Sequence, residues 1–267
     1  MSTYELPLVL FTVLGQLSIG LVCIAALCRA AAPAGVPQSL FREWSVAGVV
    51  LGAGIVASIF HLGHPGGMVR TLANLETAWL SREALTLGIF AALLVTGLFL
   101  MRQDKESRAL VAATCVAGLA VIFSMGMTYS PPSFPAVNNI LPFVFFMITA
   151  ALLGSGAAAA FTPEHARPLV LRILDTSLII GLVIYLAVPC IWLSGGEIMK
   201  QTGQLWLSSP LFWGRIGIGL ALPLVVLWTM KKVPVWLWGL ILAGELMGRA
   251  LFFAGTVHTA TNMGGLY

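Results

Sequence analysis

Apolar residues run in long blocks along this chain, separated by short turns rich in Pro, Gly and Ser. A helix needs about 20 mostly apolar residues to cross the hydrocarbon core of a bilayer, because its backbone polar groups must be paired internally. Eight blocks are long enough, so the pattern predicts one all-α domain, an integral membrane bundle of eight transmembrane helices. The predicted spans cover residues 6–31, 44–63, 83–101, 108–129, 140–161, 169–193, 211–230 and 234–256.

Lysine and arginine are concentrated around alternate loops of this bundle. Nine of the fourteen basic residues lie around the turns that follow the first, third, fifth and seventh spans. Short loops with positive charge stay in the cytoplasm. We therefore predict that the N-terminus and the C-terminus both lie outside, on the periplasmic side.

Composition excludes a water-soluble fold. Hydrophobic residues make up 59% of the chain and charged residues 9%, against about 45–50% and about 25% in soluble domains. The formal charge of +4 is spread along the chain, which argues against a nucleic-acid partner. The four cysteines form no CxxC motif, so we expect small buried side chains and no metal site.

Six ionisable side chains fall inside predicted spans, where a charge costs at least about 2.5–3.5 kcal/mol. They are His61, Glu83, Asp175, Arg215, Glu245 and Arg249. The helix directions place all of them except Asp175 at or outside the midplane. We expect several, together with Arg82, to converge on a cavity that opens outward.

Two of these groups have a structural alternative. Glu245 and Arg249 have the i, i+4 spacing that allows an ion pair on one helix face, so the pair either only stabilises the bundle or contributes to a site. His61 lies just before the helix-ending Gly63, and it is either a capped structural residue or a titrating group. We expect His64 to reach the membrane interface.

An imidazole and a carboxyl beneath the outer surface suit a quinol, which arrives through lipid and loses two protons as its two electrons leave. The sequence lacks the cysteines of an iron–sulfur cluster and a well-buried histidine pair for haem. Electrons would therefore pass to a separate protein. A haem-b cytochrome, a small-molecule transporter and a passive anchor remain as alternatives.

Four stretches of this sequence resemble the DmsC family, the membrane-anchor subunits of dimethyl-sulfoxide-reductase-type molybdoenzymes. The stretches are 6–16 (LPLVLFTVLGQ), 57–65 (ASIFHLGHP), 80–83 (LSRE) and 242–253 (LAGELMGRALFF). The resemblance implies a respiratory complex of the bacterial inner membrane, in which the anchor oxidises menaquinol. It also implies a four-cluster iron–sulfur subunit on the periplasmic face and a molybdopterin catalytic subunit that determines the terminal acceptor.

The resemblance also assigns site residues. His61 occupies the position of a family histidine implicated in quinol binding, and Glu83 matches a family glutamate, so we expect His61 to hydrogen-bond the quinol and Glu83 to pass a proton outward. Arg82 and Arg249 would tune the charge of these groups, Glu245 and Arg249 match a further family motif, and Glu245 and His64 complete the expected quinol site. The sequence departs from the family pattern at Arg82 and in the short loop after the fourth span, which contains two adjacent prolines.

Overall fold

The computed structural model describes residues 5–33, 39–59 and 71–260. Within these ranges, eight helices are long and apolar enough to cross a membrane. They are α1 (Leu6–Ala30), α2 (Phe41–Ile59), α3 (Trp79–Met101), α4 (Arg108–Thr128), α5 (Leu141–Ala158), α6 (Arg167–Leu193), α8 (Pro210–Met230) and α9 (Leu237–Ala254). A shorter helix, α7 (Glu197–Ser208), lies between α6 and α8.

Each predicted span corresponds to one of these helices, and the ends differ by a few residues. The largest difference is at the start of α3, which begins at Trp79 instead of residue 83. Helical backbone continues beyond the apolar stretch here, so Arg82 and Glu83 both lie within the first two turns. The predicted end of the second span at residue 63 lies outside the described residues.

Proline and serine determine where several helices begin. Four of the helices, α1, α5, α6 and α8, carry proline at one of their first two positions. Proline is well tolerated there because an N–H at the start of a helix has no partner within the helix. Ser107 and Ser209 cap α4 and α8 by accepting hydrogen bonds from backbone N–H groups in the first turn. These residues separate long apolar blocks into distinct spans.

Helix α1 runs through the middle of the bundle, and 83% of its most apolar stretch is buried. It packs against α2, α4, α5 and α9. The contact with α5 is a close backbone approach, because a Cβ on Gly20 would overlap the carbonyl of Ala150 and one on Gly154 would overlap the backbone of Gly20. Small residues at helix crossings allow this approach in membrane proteins.

Helix α8 contains a π turn at Gly217–Ala221, shortly before Pro223. At this turn Gly219 meets Gly244 of α9, and a Cβ on Gly219 would lie only 2.6 Å from the Cα of Gly244. A π turn shifts the helix register and is frequent at functional sites. The side chain that precedes this turn, Arg215, is completely buried.

The segment that connects α6 to α8 is largely helical. It forms α7, which packs against α6 and buries Thr202, Gly203 and Trp206 on one side. The acidic and basic residues of α7, Glu197 and Lys200, are not buried. We call the end of the bundle that carries α7, the start of α3 and the end of α4 the upper end.

Candidate functional site

The Glu83 carboxyl is buried in the second turn of α3. Its side chain is 3% exposed, and Oε2 has no hydrogen-bond partner among the described residues. Thr86 of α3 and Ser124 of α4 form a hydrogen bond at 2.8 Å, and one turn nearer the upper end the same helix contact brings the hydroxyl of Thr128 opposite Glu83. That hydroxyl also lies 2.9 Å from the backbone oxygen of Ser124, so it has two alternative acceptors for its single hydrogen.

Arg82 is engaged with the loop that precedes α3. Its Nε donates to the backbone oxygen of Leu75 at 2.9 Å, and its Nη2 donates to that of Glu76 at 2.6 Å. Its guanidinium lies 4.3 Å from the ring centre of Trp79. The structure therefore places the Arg82 charge on the loop and on Trp79, and not on the neighbouring Glu83 carboxyl.

A second group of polar side chains is buried in the core between α1, α5, α8 and α9. Arg215 Nη2 lies 2.6 Å from Glu245 Oε1, and the Thr149 hydroxyl donates to Glu245 Oε2 at 2.7 Å. Arg249 Nη2 donates to Thr149 at 3.2 Å and to Gln16 Oε1 at 2.7 Å. We call these five side chains, from four helices, the buried charge cluster.

Aromatic rings cover both cations of the buried charge cluster. Arg215 lies 4.9 Å from the ring centre of Tyr185, and Arg249 lies 3.8 Å from that of Phe146. Cation–π contacts of this kind gain strength when water is excluded. The cluster still contains two guanidinium groups and the single carboxyl of Glu245, and Arg249 Nη1 has no hydrogen-bond partner in the described part of the chain.

The expected ion pair between Glu245 and Arg249 is wrong. The carboxylate pairs with Arg215 of the neighbouring helix, and Arg249 reaches it only through Thr149. The close approach of Gly219 and Gly244 brings α8 against α9 and places Arg215 beside the carboxylate. Spacing along α9 alone could not show that a cation on another helix lies closer.

An open groove of about 740 Å³ lies at the upper end, between the start of α3, the end of α4 and the start of α5. We call it the upper groove, and its walls are Ala78, Trp79, Leu80, Met127, Thr128, Ser130, Pro131, Pro132, Asn138, Asn139 and Ile140. Ligand pockets commonly have volumes of about 300–1,000 Å³ and mostly apolar walls with a few polar groups. Thr128 connects this groove to Glu83.

A smaller pocket of about 90 Å³ lies on the other side of Thr128 and Pro131, which line both cavities. We call it the aromatic pocket, and its walls are Thr128, Tyr129, Pro131, Phe134, Val137, Phe252, Phe253 and Thr256. Phe252, one of these walls, lies 5.9 Å from the Arg249 guanidinium. The aromatic pocket therefore borders the buried charge cluster.

The remaining candidates fall elsewhere. His61 and His64 lie outside the described residues, so their predicted roles stay predictions. Asp175 accepts a hydrogen bond from Trp228 Nε1 at 2.8 Å, on the outer surface of α6 and α8. This contact gives Asp175 a partner at the opposite end from the upper groove.

Sequence reasoning missed the uncharged members of both groups. Gln16, Thr149 and Tyr129 carry no charge at neutral pH, so a search for ionisable residues within apolar spans passed over them. Gln16 could have been found, because an amide in the middle of an apolar helix needs a partner. Thr149 gave no such signal, since threonine can satisfy its hydroxyl on its own helix.

In the part of the chain that the structure describes, eight apolar spans surround a polar core with an open groove at one end, and this arrangement defines a multi-pass membrane protein. Residues 1–201 match the family described as DMSO reductase anchor subunit (DmsC), and the chain belongs to that family. It is 26% identical to the YnfH chain of an anaerobic dimethyl sulfoxide reductase of Escherichia coli, over 97% of both proteins. It is 28% identical to the C subunit of the anaerobic dimethyl sulfoxide reductase of the same organism, also over 97% of both.

A further relative is the C subunit of the anaerobic dimethyl sulfoxide reductase of Haemophilus influenzae. The identity is 28%, over 67% of this chain and 66% of the relative. These findings confirm the resemblance drawn from the short motifs. They also identify the protein as a membrane-anchor subunit connected with electron transport.

Proposed function

We propose that this chain is the quinol-oxidising anchor of a three-subunit respiratory reductase, and that the quinol binds in the upper groove. The observation that carries this proposal is the groove itself, which opens at the bundle end that also buries the Glu83 carboxyl, whose Oε2 has no hydrogen-bond partner in the described part of the chain. An apolar ring enters from lipid past Trp79 and Leu80, which form part of the wall. One quinol hydroxyl then lies close to Thr128, behind which Glu83 is buried.

The chemistry of oxidation accounts for the carboxyl. A quinol that gives up two electrons must lose two protons, and a carboxylate within hydrogen-bonding reach accepts a proton efficiently. Glu83 is the carboxylate that accepts the proton. His61 donates or accepts a hydrogen bond at the other quinol hydroxyl. Arg82 contributes through Trp79, whose ring it contacts. The electrons pass to a docked iron–sulfur subunit that carries four clusters.

The complex has its catalytic side in the periplasm. The loops with most Lys and Arg lie at the lower end, which includes Lys231 and Lys232, so the positive-inside rule directs that end to the cytoplasm. Both chain ends and the upper groove then face the periplasm of a bacterial inner membrane. The iron–sulfur subunit and a molybdopterin catalytic subunit dock there. Menaquinol is the electron donor, and the catalytic subunit sets the terminal acceptor.

The test compares Glu83→Gln with Glu76→Gln in the intact complex, because Glu76 is an exposed carboxyl at the same end of the bundle. Oxidation of a menaquinol analogue should fall about 100-fold in Glu83→Gln, the usual contribution of a positioned acid or base. Glu76→Gln should keep the original rate. Reduction of the acceptor by a dye that feeds the catalytic subunit directly should stay constant in both variants, which shows that the complex has assembled.

Two results would contradict the proposal. Normal quinol oxidation in Glu83→Gln would exclude the carboxyl from the site, and normal oxidation in His61→Arg would exclude the imidazole. A visible haem spectrum in the purified protein that shifts on reduction would favour the membrane cytochrome instead.

A further inference from the structure

We propose that the protons of the quinol leave through the aromatic pocket, which carries them from Glu83 to the upper surface as a short chain of hydroxyl groups and water. The proposal rests on the proposed function, and it assigns a role to Tyr129 and Thr256. The quinol and its protons then use opposite sides of one wall, the segment around Thr128 and Pro131 that lines both cavities.

Thr128 is the first step of this route. Its hydroxyl faces the Glu83 carboxyl and lies 2.9 Å from the Ser124 carbonyl oxygen. A hydroxyl donates one hydrogen and accepts up to two. It can therefore accept a hydrogen bond from the protonated carboxyl while its own hydrogen points elsewhere, which is the arrangement that proton transfer along a series of hydroxyls requires.

Tyr129 is the second step. Its ring is fixed by edge-to-face contacts with Phe146 and Phe253, whose ring centres lie 5.8 Å and 5.1 Å away. Phe146 in turn covers the Arg249 guanidinium at 3.8 Å, so Tyr129 borders the buried charge cluster.

The aromatic pocket has the size and the polar groups that a short water chain needs. Its volume is about 90 Å³, and a water molecule occupies roughly 30 Å³ in the liquid, so about three waters fit. Thr128, Tyr129 and Thr256 are hydroxyl-bearing residues of its walls, and the hydroxyls of the two threonines also lie 2.9 Å and 2.6 Å from the carbonyl oxygens of Ser124 and Phe252. The pocket reaches the upper end, where the N–H of Thr259 donates to the Ser133 oxygen at 2.9 Å.

The balance of each turnover is simple. The quinol loses two electrons, one at a time, to the iron–sulfur clusters of the docked subunit and becomes a quinone. Each O–H bond that breaks delivers one proton to the Glu83 carboxylate, and the carboxyl passes it to the hydroxyl groups and water of the pocket before the next proton arrives. The two protons reach water at the upper end, and Glu83 is again ionised.

The test uses Tyr129→Phe and Thr256→Val in the intact complex, because each removes one hydroxyl from the aromatic pocket and neither residue lines the upper groove. The control is Thr229→Val, which removes an exposed hydroxyl near the lower end of α8. Each pocket variant should lower kcat for quinol oxidation roughly 10-fold, with KM unchanged and a larger solvent deuterium isotope effect. Thr229→Val should change none of these values.

The outcomes separate the two proposals. If Glu83→Gln is slow but both pocket variants keep the original kcat and isotope effect, the proton route is wrong and the quinol site stands. If Glu83→Gln also keeps the original rate, the proposed function itself fails. Dye-driven reduction by each variant reports assembly, and Thr256→Val alone decides the question if Tyr129→Phe does not assemble.

Discussion

The buried charge cluster leads to a quantitative prediction about Glu245. Replacing Glu245 by Gln removes the only carboxylate that the described residues place against Arg215 and Arg249, whose side chains are 0% and 4% exposed. Removal of one partner from a buried ion pair costs about 3–5 kcal/mol, because the other charge stays buried without compensation. At roughly 2–4 °C per kcal/mol for a chain of about this size, Tm should fall by about 6–20 °C.

Thermal unfolding can be followed with a thiol-reactive fluorescent dye. Cys28 is 2% exposed, whereas Cys190 is exposed, so in a Cys190→Ser background the rise in dye reaction reports the temperature at which the core opens. The pairing itself is measured by double-variant cycles with Met at position 215 or position 249. The coupling between Glu245 and Arg215 should be the larger, because those two are in direct contact, whereas Arg249 acts through Thr149.

A coupling with Arg249 that exceeds the coupling with Arg215 would refute this assignment of the ion pair. An unchanged Tm in Glu245→Gln would refute the claim that the carboxylate compensates buried cations. Arg29→Met is a suitable comparison. Arg29 pairs with Glu106, and both side chains are more than 20% exposed, so its removal should cost no more than about 1 kcal/mol.

Three further predictions concern packing, the groove and the proton balance. Gly20→Val should destabilise the bundle by at least about 1–3 kcal/mol because α1 and α5 cannot separate without loss of contacts, whereas Gly52→Val, which meets nothing within 4 Å, should leave Tm unchanged. Arg82→Met should raise KM for the quinol roughly 2- to 5-fold without changing kcat, since the contact with Trp79 is of a kind worth about 0.5–1 kcal/mol; a lower kcat would contradict this account. Turnover in sealed vesicles should generate little membrane potential, because protons are released and consumed on the same side, and a stoichiometric acidification of the outside would contradict the proposed orientation of the site.

The number of spans could be predicted from the sequence because one physical requirement, a helix of about 20 apolar residues, governs each of them. The ends were less accurate, since helices continue into the interface. The start of α3 at Trp79 shows this, because Arg82 interrupts the apolar pattern but not the helix. The same requirement could not reveal helix α7, because 12 residues are too few to span a membrane.

The candidate site was predictable only where a single side chain has a high free-energy cost inside a membrane. A carboxyl or guanidinium interrupts the apolar pattern of a span, so the sequence identified Glu83, Arg215, Glu245 and Arg249. Which of them pair depends on how helices cross, and no pattern along one helix contains that information. The partner of Glu245 follows from the approach of α8 to α9 at the π turn.

The central position of α1 has a consequence for biosynthesis. Gln16 is made 233 residues before Arg249, the cation to which its amide oxygen is bonded in the finished bundle. Until α9 is inserted, the amide oxygen of Gln16 lacks this guanidinium, although its NH2 group can already donate to Met125 of α4. A polypeptide that stops before α9 therefore leaves that buried oxygen without the cation that the complete bundle provides.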